Sequence, residues 1–119
     1  MLQVAAILVV LLGIAHSVLG ERYILTRLFR RDLPKLFGGS DFTRNTLRFA
    51  WHLTTVLAFA LGTALWLLAG SASPELVVRV LGSFLVASGF LPLVLTRGRH
   101  LSWLVLFAAG GLCLTWAAP

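Results

Sequence analysis

The chain has 119 residues, of which 59% are hydrophobic and 12% are charged, and its formal net charge is +6. A soluble domain has roughly 25% charged and roughly 45–50% apolar residues. The composition therefore argues against a water-soluble enzyme, a disordered chain, a coiled coil and a disulfide scaffold. It predicts an integral membrane protein with a single domain, residues 1–119, in which the lone Cys113 has no partner for an intrachain disulfide.

Four long apolar runs follow one another along the chain. A membrane-spanning helix needs about 20 mostly apolar residues, and each run is close to that length. The sequence therefore predicts an all-α integral membrane fold, an antiparallel bundle of four transmembrane helices. The predicted spans are residues 2–20, 47–70, 76–95 and 101–118.

Local sequence signals agree with the expected helix ends. The Ser-Pro-Glu sequence at 73–75 places an N-cap, a first-turn proline and an acidic residue at the start of the third span. Gly98 stands where a glycine commonly ends a helix. Ser40 or Asp41 is expected to cap the second helix, which then begins before the membrane surface.

The first span, residues 1–20, also resembles a signal peptide, because small residues lie near its end. A signal peptide begins with a positively charged segment, whereas no Lys or Arg precedes this apolar run. We therefore expect the first span to be retained as a transmembrane helix.

Residues 23–37 are expected to form a short basic amphipathic helix between the first and second spans. Apolar residues recur here at helical spacing and basic side chains fill much of the rest, as in helices that lie in the headgroup layer. Gly20 offers a bend at its start, and Pro34 disturbs its last turn. The alternative is a docking surface for an acidic partner. The basic residues assigned to the membrane surface are Arg27, Arg30, Arg31 and Lys35.

The basic residues predict the orientation of the spans. Seven of the ten lie in residues 22–48, Arg97 and Arg99 lie between the third and fourth spans, and none lies between the second and third. Because Lys and Arg in short loops face the cytoplasm, we expect both termini on the outer, periplasmic side. Nine arginines against one lysine favour a bacterial inner membrane. The positive charge then meets anionic headgroups on the cytoplasmic side, and no nucleic acid is required as a partner.

Two kinds of residue are expected near the membrane surfaces. Arg79, just inside the third span, is expected to pair with Glu75 and to extend outward. The tryptophans are expected to form two interfacial belts. The cytoplasmic belt contains Trp51 and Trp103, and the outer belt contains Trp66 and Trp116.

A candidate site for a small ligand or ion consists of His16, Glu21, Arg48 and His52. Ionisable residues within a span are costly, so each is a candidate functional residue. The four are expected at similar depth, near the cytoplasmic ends of the first two spans. Arg48 and His52 share one helix face because they are four residues apart. Further possible contributors are Arg44, His100, Ser17 and Thr55.

Two functional classes compete for this site. The more specific prediction is the binding or transport of a small ligand, an ion or a proton, because histidine exchanges protons near physiological pH. The alternative is an accessory or scaffold subunit in which a Glu21–Arg48 ion pair and the two histidines only hold helices together.

Cofactor binding, catalysis and assembly are further hypotheses. A transition-metal ion held by His16, His52 and His100, or a haem between His16 and His52, is possible chemistry for these residues, although no cofactor is favoured. An enzyme acting on lipid phosphate would use the same histidines and arginines, but no catalytic motif is present and we do not favour an enzyme. Closely spaced small residues, such as Ala58 and Gly62, are typical of helix interfaces, so a homo-oligomer or a larger membrane complex is among the expected partners.

Overall fold

Four α-helices account for most of the chain, and the computed structural model describes all 119 residues. The helices are α1 (Leu2–Leu28), α2 (Asp41–Ala69), α3 (Pro74–Leu95) and α4 (Ser102–Trp116). Within α1, the segment Gly20–Leu25 adopts the wider π-helical spacing. No β-strand is present, so the all-α part of the prediction is confirmed.

Three of the helices are long and apolar enough to span a membrane. They are α1, α2 and α3, with 27, 29 and 22 residues respectively. Helix α4 is also apolar but has 15 residues, which corresponds to about 22 Å at a rise of 1.5 Å per residue. It is therefore shorter than the hydrocarbon core of a typical bilayer, about 30 Å, and shorter than the run predicted at residues 101–118.

The four helices lie in a single layer and do not form the expected compact bundle. Substantial packing joins only consecutive helices, and the Cα atoms extend over 50 × 30 × 13 Å. Only 16 of the 119 residues are buried, and α1 exposes apolar side chains along most of its length. A helix that is apolar around much of its circumference has no single face that directs closure of a bundle.

Helices α3 and α4 pack closely and run antiparallel. A Cβ placed on Gly110 would lie 2.8 Å from the carbonyl oxygen of Gly82, so the two backbones approach where both lack side chains. Towards the other end of the pair, Arg79 Nη2 donates to the carbonyl oxygen of Ala117 at 2.6 Å. The expected Arg79–Glu75 pair is therefore wrong, because the guanidinium binds a terminal carbonyl that has no partner within its own helix.

The amphipathic helix expected over residues 23–37 is also wrong. Residues 23–28 continue α1, and residues 29–40 contain no helix. Pro34 lacks a backbone N–H and disfavours the helical conformation in the residue before it. Leu36 and Gly39 then pair across a tight turn in which Phe37 and Gly38 have φ angles of 53° and 87°. Gly38 adopts its angle without strain, which favours a turn over a helix at this point.

Two of the three helix ends predicted from capping residues have the expected hydrogen bonds. Ser73 Oγ accepts a hydrogen bond from the Leu76 N–H at 3.3 Å and caps α3. Gly98 has a φ of 76° and donates its N–H to the Leu93 carbonyl at 2.8 Å, which ends α3. Ser40 occupies the N-cap position of α2 but makes no capping hydrogen bond through its side chain.

Candidate functional site

A set of polar residues, here called the polar cluster, lies between α1 and α2 and consists of Ser17, Glu21, Arg48 and His52. Two members come from α1 and two from α2, and each pair is separated by four residues. Residues at this spacing share a helix face. Because Glu21 lies near Arg48 whereas Gly62 lies near Val10, the two helices are antiparallel and the two pairs face each other.

The ion pair between Glu21 and Arg48 is bidentate. Arg48 Nη2 donates to Glu21 Oε1 at 2.7 Å, and Arg48 Nε donates to Glu21 Oε2 at 3.3 Å. Two parallel hydrogen bonds fix the relative orientation of guanidinium and carboxylate. The Arg48 Cζ atom also lies 4.9 Å from the centre of the Phe29 ring, a favourable cation–π distance. Both side chains of the ion pair remain 33% exposed.

His52 connects this ion pair to Ser17. Its Nε2 lies 3.2 Å from Glu21 Oε2, and its Nδ1 lies 2.5 Å from Ser17 Oγ. An ionised carboxylate only accepts hydrogen bonds, so the partners assign the hydrogen of the neutral ring to Nε2. The Ser17 hydroxyl then donates to Nδ1. A continuous chain of hydrogen bonds therefore runs from Ser17 through the imidazole to the carboxylate.

His16 belongs to a separate set of contacts. Its ring stacks on Trp51 with 4.5 Å between ring centres and 6° between planes. Trp51 Nε1 donates to the His16 carbonyl at 3.0 Å, and Thr54 Oγ1 lies 2.8 Å from His16 Nε2. No hydrogen bond joins His16 to Glu21, Arg48 or His52.

Gly20 allows this arrangement, and it does not bend the chain as expected. A Cβ at Gly20 would overlap the indole of Trp51, so the contact requires glycine. The carbonyl of His16 accepts both the Gly20 N–H and the indole N–H. The π-helical turn starts at this point, where a side-chain donor enters the hydrogen-bond ladder of the helix.

Three of the possible contributors make no hydrogen bond or ion pair with the polar cluster. His100 Nδ1 lies 2.9 Å from Ser102 Oγ, in the connection between α3 and α4. The His100 ring packs against Phe49 of α2, with 4.9 Å between ring centres, and the structure does not bring it into hydrogen-bond contact with the polar cluster. Arg44 binds Asp41 at 3.1 Å. Thr55 is buried, and its hydroxyl has no hydrogen-bond partner.

The structure does not bring the metal-ligand candidates together. No group of three or more His, Cys, Asp or Glu side chains is placed to hold a metal ion. His16 and His52 do not face each other across a free space, because they make different contacts with α2 and α1 respectively. Both ring nitrogens of His52 already have partners within the chain, so the residues do not fit the transition-metal or haem hypotheses.

Sequence reasoning missed the contacts of Trp51, which we expected in an interfacial belt. Its indole lies against Gly20 and His16, at the same depth as the polar cluster. The available signal was a glycine directly beside a row of polar residues, where a large side chain of the next helix can approach the backbone. No protein-family model, curated protein or solved structure matches this chain.

Proposed function

We propose that this chain is a small integral membrane protein whose polar cluster binds a proton at His52, near the cytoplasmic surface. The observation that carries this proposal is the position of the imidazole between a hydroxyl and a carboxylate, with Ser17 on Nδ1 and Glu21 on Nε2.

Proton uptake at His52 preserves both of its hydrogen bonds. In the neutral ring, Nε2 donates to Glu21 and Nδ1 accepts from Ser17. A serine hydroxyl can either donate or accept, so rotation of that hydroxyl lets a protonated Nδ1 donate to Ser17 Oγ. The site therefore accommodates both protonation states without moving α1 relative to α2.

The charges of the polar cluster also suit a bound proton. Glu21 and Arg48 together are neutral as an ion pair, and the additional charge on a protonated His52 faces the Glu21 carboxylate at 3.2 Å.

The membrane setting rests on helix length and on the distribution of charge. Three helices are long and apolar enough to cross a bilayer, and nine of the ten basic residues lie in the connections that join α1 to α2 and α3 to α4 or at the adjoining helix ends. We propose a bacterial inner membrane, with both termini periplasmic and the basic connections at the anionic cytoplasmic headgroups.

Transport through one copy of the chain is not favoured by this arrangement. Residues 4–15 of α1 have only apolar side chains or glycine, so the hydrogen-bonded chain ends at Ser17. Movement of a proton or another ion across the bilayer would require polar groups from a second copy or from another membrane protein. We therefore propose that the protein acts within a homo-oligomer or a larger membrane complex.

A second candidate function is that of an accessory subunit in which the polar cluster only joins α1 to α2. The observation in its favour is that both Glu21 carboxylate oxygens and both His52 ring nitrogens already have partners within the chain. Interhelical hydrogen bonds of this kind contribute about 0.6 kcal/mol each on average in membrane proteins. In this role, His52 keeps one protonation state.

Nitrogen-15 NMR of histidine-labelled protein in micelles distinguishes the two candidates. The chain has three histidines, so a His16→Gln, His100→Gln background leaves His52 as the only labelled imidazole. We expect its signals to change reversibly from the neutral Nε2–H tautomer to the doubly protonated ring as the pH is lowered from 8 to 5, because both forms of the ring keep a partner at each nitrogen.

The control is Ser17→Ala in the same background, which removes the partner of Nδ1 but keeps the carboxylate. It should alter the Nδ1 shift of the neutral ring and leave the helical content unchanged by circular dichroism. If the His52 signals stay constant from pH 8 to pH 5 in the folded His16→Gln, His100→Gln protein, the polar cluster does not bind a proton. The accessory-subunit candidate then replaces the proposal.

A further inference from the structure

A second polar region lies away from the polar cluster, where the start of α2 meets the end of α3. It lines a surface cavity of about 140 Å³. The lining residues are mostly polar: Asp41, Phe42, Asn45, Leu95, Thr96, Arg97 and Arg99. A neighbouring cavity of about 130 Å³ shares Asp41, Phe42 and Arg99 with it and includes the turn that contains Phe37. None of these residues contacts the polar cluster by a hydrogen bond or an ion pair.

Two arginines in the wall of this cavity have no acidic partner. Arg97 and Arg99 are exposed, and neither forms an ion pair or a side-chain hydrogen bond with the rest of the chain. The Cζ atom of Arg99 lies 5.6 Å from the centre of the Phe37 ring, which limits the directions open to that side chain. Both guanidinium groups therefore retain hydrogen-bond donors for a ligand.

The backbone holds the two arginines on one tight turn. Arg97 has a φ of 53° and Gly98 a φ of 76°. The Gly98 N–H donates to the Leu93 carbonyl at 2.8 Å, and the Arg99 N–H donates to the Thr96 carbonyl at 3.2 Å. A turn fixed in this way reduces the ordering that binding would otherwise require.

The cavity carries an excess of positive charge despite the presence of one carboxylate. Asp41 lines the cavity, but its Oδ1 atom is bound by Arg44 Nη1 at 3.1 Å. That carboxylate is therefore balanced by its own arginine, and the charges of Arg97 and Arg99 remain unbalanced. The Asn45 amide supplies a further polar group in the wall.

We infer that this cavity, here called the Arg97–Arg99 cavity, binds a phosphate group, either on an anionic lipid or as a free anion. Guanidinium groups bind phosphate through paired, charge-assisted hydrogen bonds. Basic pockets between membrane helices on the cytoplasmic side are typical sites for lipid headgroups. Phe37 and Leu101 are 69% and 64% exposed beside these arginines, so apolar surface is available next to the charged site. The inference does not depend on proton binding at His52.

Binding of soluble short-chain lipids to the full-length protein in a mild non-ionic detergent tests this inference. The probes are dioctanoyl phosphatidylglycerol, dioctanoyl phosphatidylcholine and inorganic phosphate, each titrated against the labelled protein. The test variant is Arg97→Gln, Arg99→Gln. The control is Arg27→Gln, Arg30→Gln, which removes the same charge from exposed residues at the end of α1, outside the cavity.

We expect saturable binding of phosphatidylglycerol, weakened at least about tenfold in the test variant and less than about twofold in the control. Binding of inorganic phosphate with the same dependence on Arg97 and Arg99 would identify a free anion as the ligand. Binding of the lipid without binding of inorganic phosphate would identify the headgroup. Equal weakening in both double variants, or no saturable binding of any probe, would overturn the inference. Unchanged circular dichroism confirms that the variants are folded. The same titrations on an Arg99→Gln single variant provide a second, independent measurement.

Discussion

The contact between Gly20 and Trp51 provides the sharpest test of how α1 and α2 are held together. In Gly20→Ala, the new methyl group would overlap the indole, so the Trp51 side chain must move. This movement breaks the indole hydrogen bond to the His16 carbonyl, about 0.5–1.5 kcal/mol, and disturbs the stack with the His16 ring, about 0.5–1.5 kcal/mol. The higher helix propensity of alanine returns at most about 1 kcal/mol. We expect a net loss of about 1–2 kcal/mol in the free energy of unfolding.

Gly111→Ala is a matched control for this substitution. Gly111 also lies within a helix, but a Cβ there would meet no atom within 4 Å. This variant should be unchanged or stabilised by up to about 1 kcal/mol. The assay is reversible unfolding in mixed micelles by titration with a denaturing detergent, followed by circular dichroism.

A partial rescue tests whether the steric conflict is the cause. Trp51→Phe removes the ring atoms nearest to Gly20, so Gly20→Ala should cost less in the Trp51→Phe background than in the parent protein. Equal losses in Gly20→Ala and Gly111→Ala, or the same cost in both backgrounds, would refute the assignment of this contact.

Two further predictions concern charges. A double-mutant cycle with Glu21→Gln and Arg48→Gln should give a coupling energy of about 0.5–2 kcal/mol in the unfolding assay. The corresponding cycle at the more exposed Asp41–Arg44 pair should give less than about 0.5 kcal/mol. Similar coupling energies at both pairs would show that the Glu21–Arg48 pair joins α1 to α2 no more strongly than a surface ion pair does. Reporter fusions should place both termini in the periplasm, because the basic residues flank the connections on the opposite side; activity of a cytoplasmic reporter at both ends would reverse the proposed orientation.

The proximity of Glu21, Arg48 and His52 could be predicted from the sequence because it depends on residue spacing and on depth along the helices. Residues four apart share a helix face, and two antiparallel helices joined by a short connection bring residues of equal depth to the same level. Ser17 follows from the same spacing, since it lies four residues before Glu21. The atoms that would contact each other, and the tautomer of the imidazole, depend on helix rotation, which a chain of mostly apolar residues does not specify.

What the sequence did not reveal has separate physical causes. The expected helix at residues 23–37 had the correct apolar spacing, but Pro34 and the turn at Phe37 and Gly38 outweighed it. The sequence position of Trp51 fits an interfacial belt, and it does not reveal that the neighbouring Gly20 offers the same ring a site on α1. The sequence position of His100 matches the depth of the site, yet depth does not reveal the lateral order of four helices.

The single layer of helices determines the route by which a molecule could reach the polar cluster. The Cα atoms span only 13 Å in the thinnest direction, which leaves no enclosed interior between the helices. In the proposed bilayer, lipid would contact both broad faces of the layer. Small amphiphilic molecules dissolved in the membrane would then approach Ser17 and His52 sideways, from among the acyl chains. A partner that covers one face would close that lateral entrance and leave the other face open.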